Sequence, residues 1–379
     1  MQKDLKSIVL IGPVYPFKGG ISHYTGLMYR ALSKQFNVAL VSYKMQYPKI
    51  LFRKEQRDYE NDAFKIQDTY YWINTANPFN WISTAKKIKK LKPDMVIFQW
   101  WHPYFAPCYW SVCHLLGKSK KLFICHNVFP HERFPMDRML SKAVLRQGDY
   151  FITQSGTDTQ DLKSIVPKCS YIQAVHPTYN AFRFVGMDKE EGRRQLGVSE
   201  DEKVLLFFGF IREYKGLKHL LRALPLLREK TDNVKLLVVG DFGSDKEEYM
   251  ELIKELSIDE MLEIHDGYIP DREVEKYFAA SDLVVLPYES ATQSGIVQIA
   301  YGFEKPVVVT AVGGLPDVVR NEKTGYVVVS KSPEALTNAI VRYFSEGKER
   351  EFRENIKREA YKYSWDRMTE YIQKFLAEY

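Results

Sequence analysis

Short apolar runs alternate with helix-length amphipathic segments along this chain of 379 residues. Runs rich in Val, Ile and Leu at this spacing are typical of βαβ units, which build parallel sheets. Five strands are predicted in the first half, at residues 7–11, 38–43, 95–99, 122–125 and 150–153. Six are predicted in the second half, at residues 204–208, 235–239, 263–265, 283–286, 307–310 and 326–329.

The strand pattern stops at residues 171–183, a stretch that contains a proline, and then starts again. We interpret this stretch as a linker between two doubly wound domains, at residues 1–176 and 177–359. Domains of this kind bind ligands beyond the carboxyl ends of their strands. The default binding site is therefore a cleft between the two domains.

Three further features point to a reducing compartment without a membrane-spanning helix. The four cysteines form no C-x-x-C pair, and no apolar run reaches the ~18 residues of a membrane span. The N-terminus runs from charged residues directly into a strand-like run, which is not typical of a signal peptide. We therefore predict a cytoplasmic protein.

The first candidate site is the turn after the first strand, GPVYPFKGGI, which contains Gly19 and Gly20 and leads into a helix. Glycines let a ligand approach the backbone, and the free N–H groups of a helix start favour anions. The spacing fits neither a G-x-G-x-x-G fingerprint nor a P-loop, which disfavours dinucleotide oxidoreductases and P-loop NTPases. An ordinary strand-to-helix turn remains an equal alternative.

The second candidate site follows the first strand of the second half, in the segment FFGFIREYKGL. It places Arg212 and Lys215 three residues apart, just before a helix. Arginine offers a fork of donors to phosphate oxygens, and lysine offers a mobile point charge. The alternative is a solvated basic turn.

The third candidate site is the segment LPYESATQSGIVQIA, which opens an apolar helix. Thr292, Ser294 and Gly295 supply hydroxyl and backbone N–H groups at the helix start. Ser and Thr are also favoured N-cap residues, so helix capping without a ligand is the alternative for each hydroxyl.

Together these segments resemble the retaining glycosyltransferases of the GT-B fold, and more narrowly the family-4 type, over nearly the whole chain. The resemblance implies an α/β fold of two Rossmann-like domains facing a central cleft. It also implies a nucleoside diphosphate sugar donor, bound mainly by the second domain, an acceptor on the first domain, and no cofactor. A C-terminal helix at about residues 360–379 is expected to pack back on the first domain.

The resemblance also assigns individual residues. The catalytic candidates are Arg212, Lys215 and His126, and the donor-binding candidates are Gly19, Gly20, Tyr268, Ile269, Thr292, Ser294, Gly295 and Gln298. The acceptor-side candidates are Asn127, His131 and Glu132. A hydrogen-bonded structural histidine is the alternative for His126, and a metal site with His131 lacks a third ligand at convincing spacing.

The sequence departs from the family pattern at its paired glutamates, which are normally eight residues apart. Glu289 is followed at that spacing by Val297, and Gln298 stands near the second position. The SATQSG sequence resembles a subgroup variant. The D-x-D motif of metal-dependent enzymes is also absent from the sequence, so we predict catalysis without a metal.

Charge is distributed unevenly along the chain. Residues 1–180 carry 25 Lys and Arg against 12 Asp and Glu, whereas the remainder carries 29 against 36. Aromatic and basic residues concentrate at residues 47–81, with Arg53, Lys54 and Arg57, and lysines cluster at residues 86–92. We predict peripheral binding to the anionic inner face of the cytoplasmic membrane and a glycan or lipid-linked glycan acceptor of cell-surface polysaccharide biosynthesis. A solvated helix face with a soluble acceptor is the alternative.

The sequence leaves two other functions open. One is another GT-B enzyme, such as a sugar-nucleotide epimerase, and the other is a non-catalytic partner that has kept the fold. A nucleic-acid partner is disfavoured because the basic half contains no recognisable nucleic-acid-binding module.

Overall fold

Two parallel sheets organise the chain in a computed structural model that describes residues 5–52, 55–60, 62–130, 134–178 and 182–378. The chain divides into two compact units. The first consists of Met1–Val175 and Trp365–Tyr379, and the second of His176–Ser364.

The first unit is a run of βα units. Its elements are β1 (Ser7–Ile11), α1 (Gly20–Leu32), β2 (Asn37–Met45), β3 (Thr69–Asn74), α2 (Pro78–Lys90), β4 (Met95–Trp100), α3 (Ala106–Leu116), β5 (Lys120–Cys125), α4 (Asp137–Leu145), β6 (Tyr150–Thr153), α5 (Gly156–Ile165) and β7 (Ser170–Gln173). The parallel sheet has the order β3-β2-β1-β4-β5-β6-β7. The strands β4 and β5 are buried along their whole length, as expected for the centre of a parallel sheet covered on both faces.

The second unit repeats this architecture. Its elements are α6 (Lys189–Leu196), β8 (Lys203–Phe208), α7 (Leu217–Arg228), β9 (Val234–Gly240), α8 (Lys246–Leu256), β10 (Leu262–Asp266), α9 (Asp271–Ala280), β11 (Leu283–Leu286), α10 (Gly295–Gly302), β12 (Val307–Thr310), α11 (Leu315–Val318), β13 (Gly325–Val328), α12 (Pro333–Ser345) and α13 (Glu349–Glu359). The sheet order β10-β9-β8-β11-β12-β13 places β8 beside β11. The loops after these two strands therefore leave the sheet side by side.

The last helix, α14 (Trp365–Ala377), packs within the first unit. Its apolar face buries Met368, Ile372 and Phe375. The ring of Trp365 meets Tyr24 of α1 at 4.9 Å between centroids, and the Phe375 ring meets Tyr150 at 4.7 Å. Among the described residues, no helix is long and apolar enough to cross a bilayer.

The sequence-based strand predictions agree with the structure except at the edges of the first sheet. The strands β3 and β7 were not predicted, and β7 includes the beginning of the predicted linker at residues 171–183. Edge strands bury only one face, so they lack the continuous apolar run of central strands. Tyr70 and Tyr71 of β3 are 40% and 37% exposed, and both ends of β7 are exposed.

Candidate functional site

The candidate site of the second unit lies at the carboxyl ends of β8, β9, β10 and β11. Gly209 follows β8 and Gly240 ends β9, and both have a positive φ. A Cβ on Gly240 would lie 1.9 Å from the carbonyl oxygen of Gly209, so only glycine fits there. This close approach brings the loop that carries the predicted cations against the end of β9.

Arg212 is half-buried in the loop after β8. Its Nη1 donates a hydrogen bond to the carbonyl oxygen of Ile211 at 3.0 Å. A Cβ on Gly243 would lie 2.7 Å from the same nitrogen, so a glycine leaves room for the guanidinium. Among the described residues no carboxylate forms an ion pair with Arg212, so its positive charge has no counter-ion there.

Lys215 ends a single 3-10 turn, Glu213–Lys215, that precedes Gly216 and α7. Its Nζ lies 3.8 Å from the ring centroid of Tyr288, the residue two positions after β11. Within the described part of the chain, no carboxylate pairs with Lys215. The structure therefore brings Arg212 and Lys215 to one end of the sheet with both charges uncompensated.

The third predicted segment forms the loop after β11 and the start of α10. Ser294 is the N-cap residue, but its hydroxyl makes no hydrogen bond to the helix backbone and lies 3.3 Å from the Tyr288 hydroxyl. Helix capping is thus not the role of this side chain. Thr292 accepts a backbone hydrogen bond from Gly314 at 2.9 Å, which holds the loop against the turn after β12.

Gln298 lies in α10, three residues after Gly295, and is 1% exposed. Its Oε1 is buried without a hydrogen-bond partner. A buried polar atom without a partner costs about 1–3 kcal/mol. This oxygen therefore has an unused capacity to accept a hydrogen bond.

Tyr268 and Ile269 lie in the loop between β10 and α9, at the carboxyl end of β10. The Tyr268 side chain is 37% exposed, and Ile269 is half-buried. The preceding residue, Gly267, donates a backbone hydrogen bond to Gly240 at 3.2 Å, which ties this loop to the end of β9.

Glu289 is the centre of a cluster of ion pairs. Its carboxylate accepts from Lys218 Nζ at 3.2 Å, His219 Nε2 at 2.8 Å and Lys331 Nζ at 2.9 Å. Although partial burial raises the pKa of Glu289, these hydrogen bonds and charges outweigh it and lower the pKa to about 2. The carboxylate is thus ionised and already paired.

The Glu289 cluster gives a prediction on stability. Glu289→Gln removes the charge but keeps the shape, and it is expected to lower the free energy of unfolding at pH 7 by roughly 1–3 kcal/mol. Because the pKa is lowered in the folded state, this contribution is present above pH 4.5 and is lost as the pH falls towards 2. Urea unfolding of the variant and of the unchanged protein at pH 7 and pH 3 measures this loss of stability. The control is Glu322→Gln, which removes an exposed ion pair with Arg342 and is expected to have a smaller effect. If Glu289→Gln lost the same stability at pH 3 as at pH 7, the lowered pKa of Glu289 would be contradicted.

In the first unit, the Gly19–Gly20 turn follows β1 as predicted. Gly19 has a φ of 106° and is the N-cap residue of α1. A Cβ on either glycine would meet nothing within 4 Å, so the space in front of this helix start is open. The N–H groups of Ser22 and His23 in this first turn both donate to the Gly19 carbonyl oxygen, at 3.0 and 3.4 Å.

His126 follows β5 and is 4% exposed. Its Nε2 lies 2.6 Å from Gln99 Oε1, and its ring meets Tyr24 at 4.6 Å between centroids. This environment matches the alternative of a hydrogen-bonded structural histidine, and contact with a sugar stays a prediction. Asn127 is half-buried beside it, whereas His131 and Glu132 lie outside the described residues.

Sequence reasoning missed three contributors: Tyr288 beneath Lys215, Gly243 beside Arg212, and Gln99 on His126. Each acts through a contact between separate strands or loops. Tyr288 could have been found only from the adjacency of β8 and β11 in the sheet. The sequence pattern predicts the strands but not their order in the sheet.

Comparison with known proteins finds a family model that matches the second unit and relatives that share part or most of the chain. Residues 188–363 match the family described as Glycosyl transferases group 1. An uncharacterized glycosyltransferase of Methanocaldococcus jannaschii is 34% identical over 184 residues, covering 47% of this chain and 46% of that protein. D-inositol 3-phosphate glycosyltransferase of Actinosynnema mirum is 27% identical over 333 residues, 84% of this chain and 73% of that protein. The chain spans about half the length of several other curated relatives that it matches.

Solved structures cover the whole chain at low identity. Anabaena Alr3699/HepE in complex with UDP superposes with a TM-score of 0.76 at 16% identity, covering 99% of this chain and 100% of that one. UDP-GlcNAc 2-epimerase from Neisseria meningitidis superposes with a TM-score of 0.66 at 14% identity, covering 98% of this chain and 100% of that one. These likenesses concern the fold. The chain thus has the α/β GT-B fold, and its residues 188–363 match the glycosyl transferases group 1 family.

Proposed function

We propose that this protein is a retaining glycosyltransferase of the family-4 type that needs no metal. It transfers a sugar from a nucleoside diphosphate sugar to a glycan or lipid-linked glycan in cell-surface polysaccharide biosynthesis. The uncompensated pair Arg212 and Lys215 at the carboxyl end of β8 is the observation that carries the proposal.

Two cations without a counter-ion at the end of a parallel sheet favour an anionic ligand. A unit charge pair 4 Å apart interacts by about 4 kcal/mol of raw Coulomb energy at an effective dielectric constant of 20. The start of α10, at Ser294 and Gly295, follows β11 and adds backbone N–H groups at the carboxyl ends of the strands. A diphosphate carries the charge and the oxygen atoms that this arrangement suits.

The same groups stabilise the leaving diphosphate. An acceptor hydroxyl attacks the anomeric carbon on the face from which the phosphate oxygen departs. The new glycosidic bond forms as the sugar–phosphate bond breaks, and the departing phosphate oxygen takes the hydroxyl proton. Negative charge grows on the diphosphate during this step, and Arg212 and Lys215 meet it without a metal.

Three further contacts of the donor are proposed within the second unit. The unpartnered Oε1 of Gln298 accepts a hydrogen bond from a donor hydroxyl. The loop at Tyr268 and Ile269 meets the nucleotide base, largely through backbone groups. Thr292 lies in the loop that borders the sugar.

A sugar-nucleotide epimerase and a non-catalytic partner remain the competing functions, because an epimerase shares the fold. An epimerase changes its sugar nucleotide without an acceptor. A non-catalytic partner has no need to keep both cations uncompensated, which favours an active enzyme. Incubation with the donor alone separates the first alternative.

The proposal is tested by a thermal-shift screen of nucleoside diphosphate sugars, since a ligand of the native state raises apparent stability. The stabilising donor is then incubated with extracted glycolipids in excess chelator, and the product is analysed by NMR. Transfer with the donor's anomeric configuration kept supports the proposal. Inversion, complete loss of activity in chelator, or epimerisation without acceptor would overturn it.

The first unit is proposed to hold the acceptor and to bind the anionic inner face of the cytoplasmic membrane. Lys86, Lys89 and Lys90 are exposed on α2, and the first turn of this helix exposes 84% of Phe79. The loop after β2 exposes three consecutive apolar side chains, Ile50, Leu51 and Phe52. Basic and apolar groups together suit a surface of anionic lipid. The predicted contributors Arg53 and Lys54 lie outside the described residues.

Lipid binding is tested by replacing Lys86, Lys89 and Lys90 with Gln. At about 1 kcal/mol for each lysine, the triple variant is expected to bind anionic vesicles roughly 100-fold more weakly. Co-sedimentation with phosphatidylglycerol vesicles measures this, and a second-unit variant that loses three exposed charges, at Arg222, Lys254 and Lys323, is the control. Background binding by the unchanged protein, or equal losses in both variants, would count against the membrane surface.

A further inference from the structure

We propose that Tyr288 is a positioning residue that holds the Lys215 ammonium in place for the diphosphate without neutralising it. The inference rests on the proposed donor site. Tyr288 would raise the affinity for the diphosphate indirectly, by holding Lys215 and by contacting the start of α10.

The geometry of Tyr288 fits this role. Lys215 Nζ lies 3.8 Å from the centroid of the ring, well inside the ~6 Å range of cation–π attraction. The neighbouring Tyr214 ring is farther away, at 5.5 Å from the same atom. The Tyr288 ring is therefore the closer aromatic support of the ammonium.

The ring is itself fixed. Tyr288 is 1% exposed, and its carbonyl oxygen accepts hydrogen bonds from Thr310 Oγ1 at 2.6 Å and Ser330 Oγ at 3.0 Å. A buried ring with an anchored backbone does not need to be ordered when a ligand binds. The lysine it supports is thus preorganised, which reduces the entropy lost on binding.

The chemical nature of the support matters. A carboxylate beneath Lys215 would also hold it, but would cancel the charge that a diphosphate needs. The next residue, Glu289, shows the contrast, because its carboxylate pairs with Lys218, His219 and Lys331 and not with Lys215. The neutral aromatic face holds the lysine and leaves its positive charge available.

Residues 287–289 also fix the backbone around Lys215. The Glu289 N–H donates to the Tyr214 carbonyl oxygen at 2.7 Å. The carbonyl oxygen of Pro287 lies so near Gly216 that a Cβ there would come within 2.0 Å of it. The Tyr288 hydroxyl lies 3.3 Å from the hydroxyl of Ser294, the N-cap residue of α10. The tyrosine thereby sets Lys215 and that helix start at a defined separation.

A double-mutant cycle tests this role. Affinity is measured by calorimetry with whichever of UDP, ADP and GDP the unchanged protein binds most tightly. Tyr288→Leu is expected to weaken this affinity by about 10-fold, and Tyr288→Phe, which keeps the ring, by no more than about 3-fold. In a Lys215→Ala background, Tyr288→Leu is expected to change affinity by less than about 2-fold, because the partner of the ring is gone.

The outcomes are distinguishable. If the unchanged protein binds no nucleoside diphosphate, the proposed function fails. If it binds but Tyr288→Leu costs the same with and without Lys215, the tyrosine is merely structural and this inference is overturned.

A second readout covers the case in which Tyr288→Leu does not fold. Reductive methylation with ¹³C places an NMR label on the Lys215 amine, whose signal is assigned by its absence in Lys215→Arg. A ring current from Tyr288 shifts that signal upfield of the other lysines. A signal at the position of exposed lysines contradicts the contact.

Discussion

Replacing both Arg212 and Lys215 with alanine is expected to lower kcat/KM for sugar transfer by about 1,000-fold. Each cation is half-buried and has no counter-ion among the described residues, so each is free to meet the charge that grows on the diphosphate. Loss of one such contact typically costs about 2–3 kcal/mol, and two contacts account for the expected factor. Initial rates with the donor found by the screen measure it.

The matched control for this pair is Arg222→Ala with Lys254→Ala. Both residues are exposed on α7 and α8, and the change in net charge is the same. Transfer by the control is expected to stay within about 2-fold of the unchanged protein, because exposed charges away from the site act weakly through solvent. Equal losses in both double variants would show that the effect is one of overall charge and would remove the assigned phosphate site.

The second large effect is expected from Gly216→Ala. Gly216 has φ 67° and ψ 22°, and its added Cβ would lie 2.0 Å from the Pro287 carbonyl oxygen. Gly197 has nearly the same conformation, φ 66° and ψ 24°, but an added Cβ would meet nothing within 4 Å. Alanine at either position would therefore have the same backbone strain, but only alanine at position 216 would collide with another residue.

Gly197→Ala is expected to cost about 1 kcal/mol of stability, the usual penalty for alanine in the left-handed region. Gly216→Ala is expected to cost roughly 2–4 kcal/mol, because overpacking adds to that strain. It also moves Lys215 away from Tyr288, so the affinity for a nucleoside diphosphate falls. Urea unfolding and calorimetry of both variants measure the two effects. Equal stability losses in the two variants would contradict the close approach of Gly216 to Pro287.

Central strands and sheet ends were predictable from the sequence because their residues carry a local signal. The apolar runs of β4, β5 and β8 are buried on both faces, and the glycines and cations that follow β1 and β8 stand at fixed distances from them. The amino-acid pattern alone therefore sufficed to place Arg212 and Lys215 just after a strand and Gly295 at the start of a helix. The two doubly wound domains followed from the two repeats of this pattern, and the GT-B fold was implied by the family resemblance.

Features that depend on contacts between distant residues were not predictable. The edge strands β3 and β7 are half-solvated and carry no continuous apolar run. Tyr288 has no local mark that distinguishes it from any other core tyrosine, and only the pairing of β8 with β11 brings it to Lys215. Glu289 was noticed as half of a missing glutamate pair, whereas its partners, two lysines and a histidine, come from other parts of the fold.

The proposed donor site depends above all on one property, that Arg212 and Lys215 bind the diphosphate of the donor without a metal. Calorimetric titration of the tightest-binding nucleoside diphosphate, in excess chelator, measures this property. We expect binding by the unchanged protein and by the Arg222→Ala/Lys254→Ala control, and affinity weaker by at least about 100-fold in Arg212→Ala/Lys215→Ala. Binding that disappears in chelator, or equal affinity in the two double variants, would contradict the assignment.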